Sequence, residues 1–178
     1  MAGTKGKQSV RNMILSLGVI TLMASVIYVF IPHDEGGTPD VKRVDYRVEL
    51  LTARRAASYP VAAPEGLPGT WKATSVRFDG SAFDAWHLGF HAPDGEYVAI
   101  EQSTQKPTVF IDTASGGAKE TKATERIGDR TWQRYAGGRY DALVLKAKGS
   151  TTVVAGTGSF AQLAKMAESL KAESAKTT

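Results

Sequence analysis

The sequence predicts an α+β protein with one N-terminal transmembrane helix, followed by an extracytoplasmic antiparallel sheet that helices cover on one face. Three observations predict this class. Residues 13–31 carry no charge and are long enough, as a helix, to cross the ~30 Å hydrocarbon core of a bilayer. From residue 71 onward, apolar and polar residues alternate in short runs separated by turn residues, which is typical of antiparallel strands. Residues 160–170 then show one apolar helical stripe, and such a stripe needs a sheet to cover.

The charges around the apolar run predict its orientation. Lys5, Lys7 and Arg11 precede the run. Short segments rich in Lys and Arg stay in the cytoplasm, so we expect the following domain outside the membrane. A cleaved signal peptide is the alternative, but its apolar core spans only ~7–15 residues and ends at a small-residue site, which Ile31-Pro32 does not provide. We therefore expect a retained single-pass anchor in the cell membrane.

This topology implies five segments. They are a cytoplasmic basic tail at 1–12, the anchor in the lipid bilayer at 13–31, a linker at 32–44, the folded domain at 45–171 and a disordered tail at 172–178.

Charge and cysteine content exclude several function classes. The net charge is +4, yet three of those charges precede the anchor, and the chain from Pro32 onward has 19 basic against 18 acidic residues. A near-neutral domain without a basic patch does not favour nucleic acid as a partner. The chain has no cysteine, which excludes disulfides, thiol catalysis and cysteine-ligated metals. No motif calls for a cofactor or a metal.

The domain begins with a predicted helix at 46–59, for which Asp45 is the expected N-cap and Pro60 the stop. The Pro- and Gly-rich residues 64–69 read as a loop. Two neighbouring apolar stripes follow the helical period; they comprise Val48, Leu51 and Arg55, and Leu50, Ala53 and Ala57.

Strands are predicted at 71–78, 86–91 and 96–103. In the first, Trp71, Ala73, Ser75 and Arg77 should share one face. In the second, Trp86, Leu88 and Phe90 should oppose His87, Gly89 and His91. Pro93-Asp94-Gly95 is a turn sequence, because Pro presets φ and Gly allows a positive φ. Val98 and Ile100 should point inward, and Pro107 suits the first turn of a helix that ends near residue 114.

The second half predicts one or two strands at 123–135, a hairpin formed by 140–146 and 151–155 around Lys148-Gly149, and a final helix at 160–170. Ser159 and Gln162 have capping-box spacing. Turn, strand and helix thus occur twice at similar spacing. This repetition indicates either an old duplication or two ordinary hairpin–helix units, and the ordinary case is favoured.

Two short motifs resemble known chemistry. Gly156-Thr-Gly158-Ser-Phe-Ala161 fits a dinucleotide fingerprint, but no acidic residue follows about 20 positions later, so an ordinary strand–helix junction is favoured. Ser103-Thr-Gln-Lys106 fits S-x-x-K of penicillin-binding type, but its companion motifs are missing.

Four residues are candidates for a ligand or partner surface: Trp86, His87, His91 and Trp132. The histidines lie four apart on a strand, roughly 13 Å at ~3.3 Å per residue, which is too far to share a metal. Tryptophans in a small sheet domain are more often core residues, but an exposed one would indicate a binding surface. No residue is assigned a catalytic role. Four turn carboxylates near the histidines offer an alternative acid/base site: Asp79, Asp84, Asp94 and Glu96.

Several segments together resemble a known family. They are Trp86-His-Leu-Gly-Phe, Pro93-Asp-Gly-Glu-Tyr-Val-Ala-Ile-Glu-Gln-Ser, Pro64-Glu-Gly-Leu-Pro, Trp132-Gln-Arg-Tyr and Thr152-Val-Val-Ala-Gly-Thr. With the single anchor, the chain resembles the domain-of-unknown-function 4245 family of high-GC Gram-positive bacteria over residues 10–170. The resemblance implies a short single-pass membrane protein. It implies no activity and no catalytic residue.

The expected function is a membrane-anchored extracytoplasmic binding or interaction domain of the bacterial cell envelope, and not an enzyme. Its partner would be an envelope protein or a cell-wall ligand. The alternatives are a small envelope hydrolase that uses the carboxylate and histidine groups, and a structural accessory subunit of a membrane complex.

Overall fold

The computed structural model describes residues 5–30 and 42–174, with the side chains of residues 13–25 and 42–174. The chain divides into two compact units, Met1–Pro39 and Asp40–Thr178. Residues 32–41 of the predicted linker at 32–44 lie outside the described residues. The first four residues of the predicted basic tail and the last four of the predicted disordered tail also lie outside them.

The first unit contains helix α1 (Lys5–Phe30). The described side chains of residues 13–25 are exposed, large apolar ones included. Thr21 Oγ1 donates to the Leu17 carbonyl at 2.9 Å, so this hydroxyl is satisfied within the helix. Within the described part of the chain, no helix meets the combined length and apolarity of a membrane span.

The second unit contains a seven-stranded antiparallel sheet, a two-stranded sheet and three helices. Its order along the chain is α2 (Arg47–Ala56), β1 (Val61–Pro64), β2 (Lys72–Asp79), β3 (Ala85–His91), β4 (Tyr97–Ser103), α3 (Pro107–Ser115), β5 (Lys119–Ile127), β6 (Arg130–Ala136), β7 (Asp141–Ala147), β8 (Ser150–Gly156), α4 (Phe160–Ser169) and β9 (Leu170–Glu173). The large sheet has the order β2-β3-β4-β8-β7-β6-β5. The predicted α+β class with a large antiparallel sheet is therefore confirmed.

Helices cover both faces of the large sheet, so the predicted covering of one face is wrong. On β8, Val154 packs in a cluster with Leu163 and Met166 of α4, whereas its neighbours Val153 and Ala155 pack with Phe110 and Ile111 of α3. Successive strand residues point to opposite faces, which places α3 and α4 on opposite sides of the sheet. We call these surfaces the α3 face and the α4 face. The sequence could not show this, because each helix has only one apolar stripe and either face of β8 is apolar.

The positions of α3 and α4 also bear on the repeated turn–strand–helix pattern. A two-fold axis that exchanges the antiparallel neighbours β4 and β8 keeps the faces of the sheet unchanged, so it would place both helices on one face. Both helices instead contact the same hairpin, β7–β8, from opposite sides. This arrangement favours two ordinary hairpin–helix units over a duplication.

Helix α2 is shorter than predicted. Tyr46 occupies the N-cap without a side-chain hydrogen bond, and the helix ends at Ala56 rather than near Tyr59. Asp45 is therefore not the N-cap, although its Oδ1 accepts a hydrogen bond from the Arg47 N–H at 3.0 Å. The stripe formed by Leu50, Ala53 and Ala57 packs against the core, with Ala53 fully buried. The other stripe is on the exposed side, where Val48 is 74% exposed.

A β-bulge in β2 changes which face its residues occupy. Ala73 pairs with Phe90, but Ser75 already pairs with Gly89, so Thr74 is the extra residue. Trp71 and Ala73 therefore belong to the α4 face, whereas Ser75 lies on the α3 face. The prediction that Trp71, Ala73, Ser75 and Arg77 share one face is wrong from Ser75 onward, because alternation does not reveal an inserted residue.

The two-stranded sheet of β1 and β9 was not predicted. β1 covers residues expected to lie in or before a loop, and β9 uses residues expected to end the last helix or to be disordered. The edge of β1 that faces away from β9 is held by side chains of the large sheet. The Ala62 N–H donates to Gln102 Oε1 at 2.6 Å, and Trp86 Nε1 donates to the Ala62 carbonyl at 3.0 Å. These bonds satisfy backbone groups that would otherwise be buried without partners.

The other local predictions are confirmed. Gly95 and Gly149 have φ of 87° and 89° in the two hairpin turns. Pro107 starts α3, and Ser159 with Gln162 forms the capping box of α4. The segment around Asp129 forms two strands, β5 and β6.

Candidate functional site

A groove of about 660 Å³ opens where the segment before α2 meets the β1–β2 loop. Its walls combine aromatic, aliphatic and basic side chains, among them Arg43, Tyr46, Leu67, Trp71 and Phe90. The groove has the size and mixed lining typical of sites that bind small molecules or peptide segments.

Two contacts fix the walls of this groove. Arg43 Nη2 donates to the carbonyls of Gly69 and Trp71, at 2.6 and 3.3 Å, and so ties the segment before α2 to the β1–β2 loop. The rings of Tyr46 and Phe90 meet edge to face at 5.9 Å between centroids. The groove is therefore formed before any ligand enters it, which lowers the ordering cost of binding.

Trp71 leaves one polar group of this groove unpaired. The residue is 4% exposed, and its Nε1 has no hydrogen-bond acceptor among the described residues. A buried donor without an acceptor costs roughly 1–3 kcal/mol, and such groups are uncommon in folded proteins.

The predicted surface tryptophans are core residues. Trp86 is 0% and Trp132 is 3% exposed, and both belong to the cluster on the α4 face. Neither side chain is exposed at the surface, although Trp132 contributes to the lining of a cavity of about 390 Å³. The reason is the alternation of β3 and β6, which turns these large apolar rings toward α4 and away from solvent.

The predicted histidines lie on the α3 face of β3, and only His87 is in a polar cluster. His87 Nδ1 is 2.6 Å from Glu101 Oε1, and its Nε2 is 2.8 Å from Ser75 Oγ. His91 Nδ1 lies 3.1 Å from the Gly95 carbonyl, and its ring contacts Tyr97 edge to face. In the described part of the chain, no group of three or more histidine and carboxylate side chains could hold a metal ion.

The four turn carboxylates do not converge. Asp79 and Asp84 lie at the β2–β3 end of strand β3, and Asp94 and Glu96 lie at its β3–β4 end. Asp79 accepts hydrogen bonds from the Ser81 hydroxyl and from backbone N–H groups, which lower its pKa. These carboxylates shape separate turns, so the predicted acid/base group is not assembled.

Two of the other three, Asp84 and Asp94, carry similar local roles. Asp84 Oδ2 accepts hydrogen bonds from the Ser58 backbone N–H at 3.1 Å and from the Ser58 hydroxyl at 2.7 Å. Asp94 Oδ2 accepts from Gln162 Nε2 at 2.7 Å and so connects the β3–β4 turn to the start of α4.

The two motif look-alikes have structural roles. A Cβ at Gly156 would lie 2.0 Å from the Tyr97 carbonyl oxygen, so this glycine serves the close approach of β4 and leaves no space for a pyrophosphate. Ser103 is 2% exposed, and its hydroxyl donates to the Phe83 carbonyl at 3.0 Å.

Sequence reasoning missed the cluster of Ser75, His87 and Glu101, which lie on β2, β3 and β4. Register brings them together, since Arg77, His87 and Glu101 are cross-strand neighbours and the bulge moves Ser75 to the same face. No spacing along the sequence encodes this cluster. Only the position of the bulge, together with the pairing, could have revealed it.

Comparison with known proteins gives one match. No curated protein and no solved structure shows significant similarity to the chain. The model of the family described as "Protein of unknown function (DUF4245)" matches residues 5–170, which confirms the resemblance found in the sequence. The chain therefore belongs to this family of proteins of unknown function.

Proposed function

We propose that the chain is a membrane-anchored extracytoplasmic binding domain of the bacterial cell envelope. The groove beside Trp71 carries this proposal, because contacts on both sides fix its walls and aromatic, aliphatic and charged groups line it. An envelope protein segment or a cell-wall component with exposed carbonyl or anionic oxygens fits this chemistry.

The anchor in this proposal is the uncharged run at residues 13–31. Its support is the absence of charge in the run and the basic residues before it. The run continues to Ile31, beyond the side chains that the structure describes.

The topology is tested with intact spheroplasts. A protease added outside should digest the C-terminal domain, because the positive-inside rule places that domain on the outer surface. A cytoplasmic protein measured in the same sample controls for lysis. Full protection of the domain, with the protease active on another surface protein, would overturn the orientation.

The groove is tested by photocrosslinking in intact cells. A benzophenone amino acid replaces Leu67 in the groove wall, and in a matched control it replaces Val109, which is 48% exposed on α3. We expect one reproducible envelope adduct from position 67 and none from position 109. A Trp71→Phe substitution should reduce the yield at position 67, because it makes an aromatic side chain in the groove wall smaller.

Two outcomes would contradict a binding role for the groove. One is equal adducts from both positions, and the other is capture of only a soluble cytoplasmic enzyme. A deletion of residues 41–178 tests the accessory-subunit alternative. If a membrane complex still assembles after this deletion, the anchor alone is sufficient for assembly. If assembly is lost on the deletion but kept with Trp71→Phe, the chain is an accessory subunit whose folded domain is needed for the complex.

A further inference from the structure

Ser75, His87 and Glu101 have the geometry of an activated nucleophile. The serine Oγ is 2.8 Å from His87 Nε2, and the opposite ring nitrogen is 2.6 Å from a Glu101 carboxylate oxygen. A hydroxyl, an imidazole and a carboxylate in this order form the arrangement in which the imidazole acts as general base and the carboxylate orients it. Both contacts are of hydrogen-bond length.

The cluster is accessible from solvent. Helix α3 packs against β7 and β8, so the α3 face over β2, β3 and β4 is less covered. The side chains of His87 and Glu101 are 25% and 22% exposed, and Ser75 is half-buried. A purely structural polar cluster would not need this access.

Gly89 allows the hydroxyl groups of Ser75 and Tyr97 to meet. A Cβ at this glycine would lie 2.4 Å from Ser75 Oγ and 2.7 Å from the Tyr97 hydroxyl. Burial raises the pKa of Tyr97, whereas its hydrogen bond with Ser75 acts in the opposite direction and lowers it. Any side chain at position 89 would displace one of these hydroxyls.

A small cavity lies beside the cluster, over β4 and β8, and Tyr97 and Glu101 belong to its lining. Its volume is about 200 Å³, and its lining includes Tyr97, Glu101, Ala114, Tyr140 and Ala155. The lining is aromatic and small aliphatic, apart from the one carboxylate that faces His87. A short acyl chain fits this volume and lining, whereas a long one would exceed it.

We propose that Ser75 is the nucleophile of an acyl-ester hydrolase site for short acyl groups, with His87 as general base and Glu101 as a positioning residue. This activity goes beyond the proposed binding function and uses none of the groove residues. The sequence led us to expect a non-enzyme, because it showed no recognisable set of catalytic residues. The residues of this cluster lie on three separate strands, so their spacing in the sequence does not reveal it.

The reaction needs only the ester and water. Ser75 Oγ bonds to the ester carbonyl carbon while its proton moves to His87 Nε2. The Nδ1–H of the same ring keeps donating a hydrogen bond to the Glu101 carboxylate. The Tyr97 hydroxyl can donate to the oxygen that becomes negative. The intermediate then releases the alcohol, which takes the proton from His87. His87 then takes a proton from a water molecule, whose oxygen attacks the acyl carbon. The acyl–serine bond breaks, Ser75 takes the proton back from His87, and the carboxylic acid leaves.

The test uses the full chain in detergent with a fluorophosphonate probe and with p-nitrophenyl acetate. We expect one probe adduct that maps to Ser75 and ester hydrolysis that saturates. Ser75→Ala should abolish the adduct and lower hydrolysis by about a hundredfold or more. Ser81→Ala, in the exposed β2–β3 turn, is the matched control and should leave both readouts unchanged. No adduct on the wild-type chain, or an equal adduct on the Ser75→Ala chain, would overturn the proposal.

Variants of the other two residues separate chemistry from folding. His87→Gln should abolish labelling, because it removes the base. Glu101→Gln should slow labelling by about tenfold or more, and Glu101→Asp should restore part of the rate, since a carboxylate still faces Nδ1. Thermal unfolding of each variant shows whether it is folded. A folded His87→Gln chain that labels at the wild-type rate would contradict the proposed base. Failure here leaves the crosslinking result of the groove unaffected, so the two proposals fail separately.

Discussion

Two tryptophan substitutions provide a sharp test of the groove, because the two indoles differ in one respect. Trp71 and Trp86 are both buried, at 4% and 0% exposure, and both lie in the cluster on the α4 face. Trp86 Nε1 donates to the Ala62 carbonyl, whereas Trp71 Nε1 has no acceptor among the described residues. Replacement by phenylalanine removes a similar apolar area from each, so the loss of packing largely cancels in the comparison.

The remaining difference comes from the hydrogen bonds. Trp86→Phe leaves the Ala62 carbonyl without its indole donor, which costs roughly 1–3 kcal/mol. Trp71→Phe removes an unpaired buried donor and so recovers a cost of the same order. The Trp86→Phe chain should therefore be less stable than the Trp71→Phe chain by at least about 2 kcal/mol. For a domain of this size, this corresponds to a Tm difference of about 6–10 °C.

Tryptophan fluorescence can follow this unfolding in the full chain, because all three tryptophans lie in the second unit. Two remain in each variant. Leu51→Ala, at a site that is 54% exposed on α2, is a surface control and should shift the Tm little. Equal Tm values for the two tryptophan variants, measured without added ligand, would refute the reasoning that Trp71 carries a buried, unsatisfied donor.

Two further predictions concern packing and pH. Gly156→Ala should destabilise the domain by roughly 1–3 kcal/mol or more, because the added Cβ meets the Tyr97 carbonyl oxygen; a Tm equal to that of the wild type would contradict the close approach of β4 and β8. Burial, and then the hydrogen bond to Glu120, raises the pKa of Tyr135 to about 12, above the ordinary value near 10. The unfolded chain therefore loses this proton first, so stability should fall as pH rises from about 10 through about 12. The pKa values of Tyr46, Tyr59 and Tyr97 are also raised, so absorbance titrations of the wild-type and Tyr135→Phe chains should differ by one late tyrosine, which is Tyr135. Glu120→Gln should lower the pKa of Tyr135 toward the ordinary value without reaching it, since burial is the larger cause. A Tyr135 titration that this substitution leaves unchanged would contradict the assignment.

Much of the fold could be predicted because the signals are local. The capping box at Ser159, the Pro107 start of α3 and the glycine turns at Gly95 and Gly149 each depend on a few neighbouring residues. The alternation of β3 and β4 likewise gave the correct core face, since Trp86, Leu88 and Phe90 pack together with Val98 and Ile100. These elements would form in much the same way in many tertiary contexts.

Non-local pairing explains what was missed in the fold. Strands β1 and β9 have four residues each and lie more than 100 positions apart, and Trp86 and Gln102 of other strands hold β1 in place. Neither strand is long enough to show a period, so only the tertiary contact makes it a strand. The opposite placement of α3 and α4 has the same origin, because β8 is apolar on both faces and its sequence does not assign a helix to either.

The candidate sites divide in the same way. The sequence by itself determined the α+β class and the strand faces around Trp86, because composition and periodicity can be read over short windows. It also supplied the hypothesis of a membrane anchor and its orientation. Only the tertiary structure decided that Trp86 and Trp132 are core residues, that the turn carboxylates stay apart, and that Ser75 joins His87 and Glu101. The physical reason for the last is the bulge at Thr74, since one extra residue in β2 turns Ser75 from the α4 face to the α3 face, and its partners are selected by register across three strands.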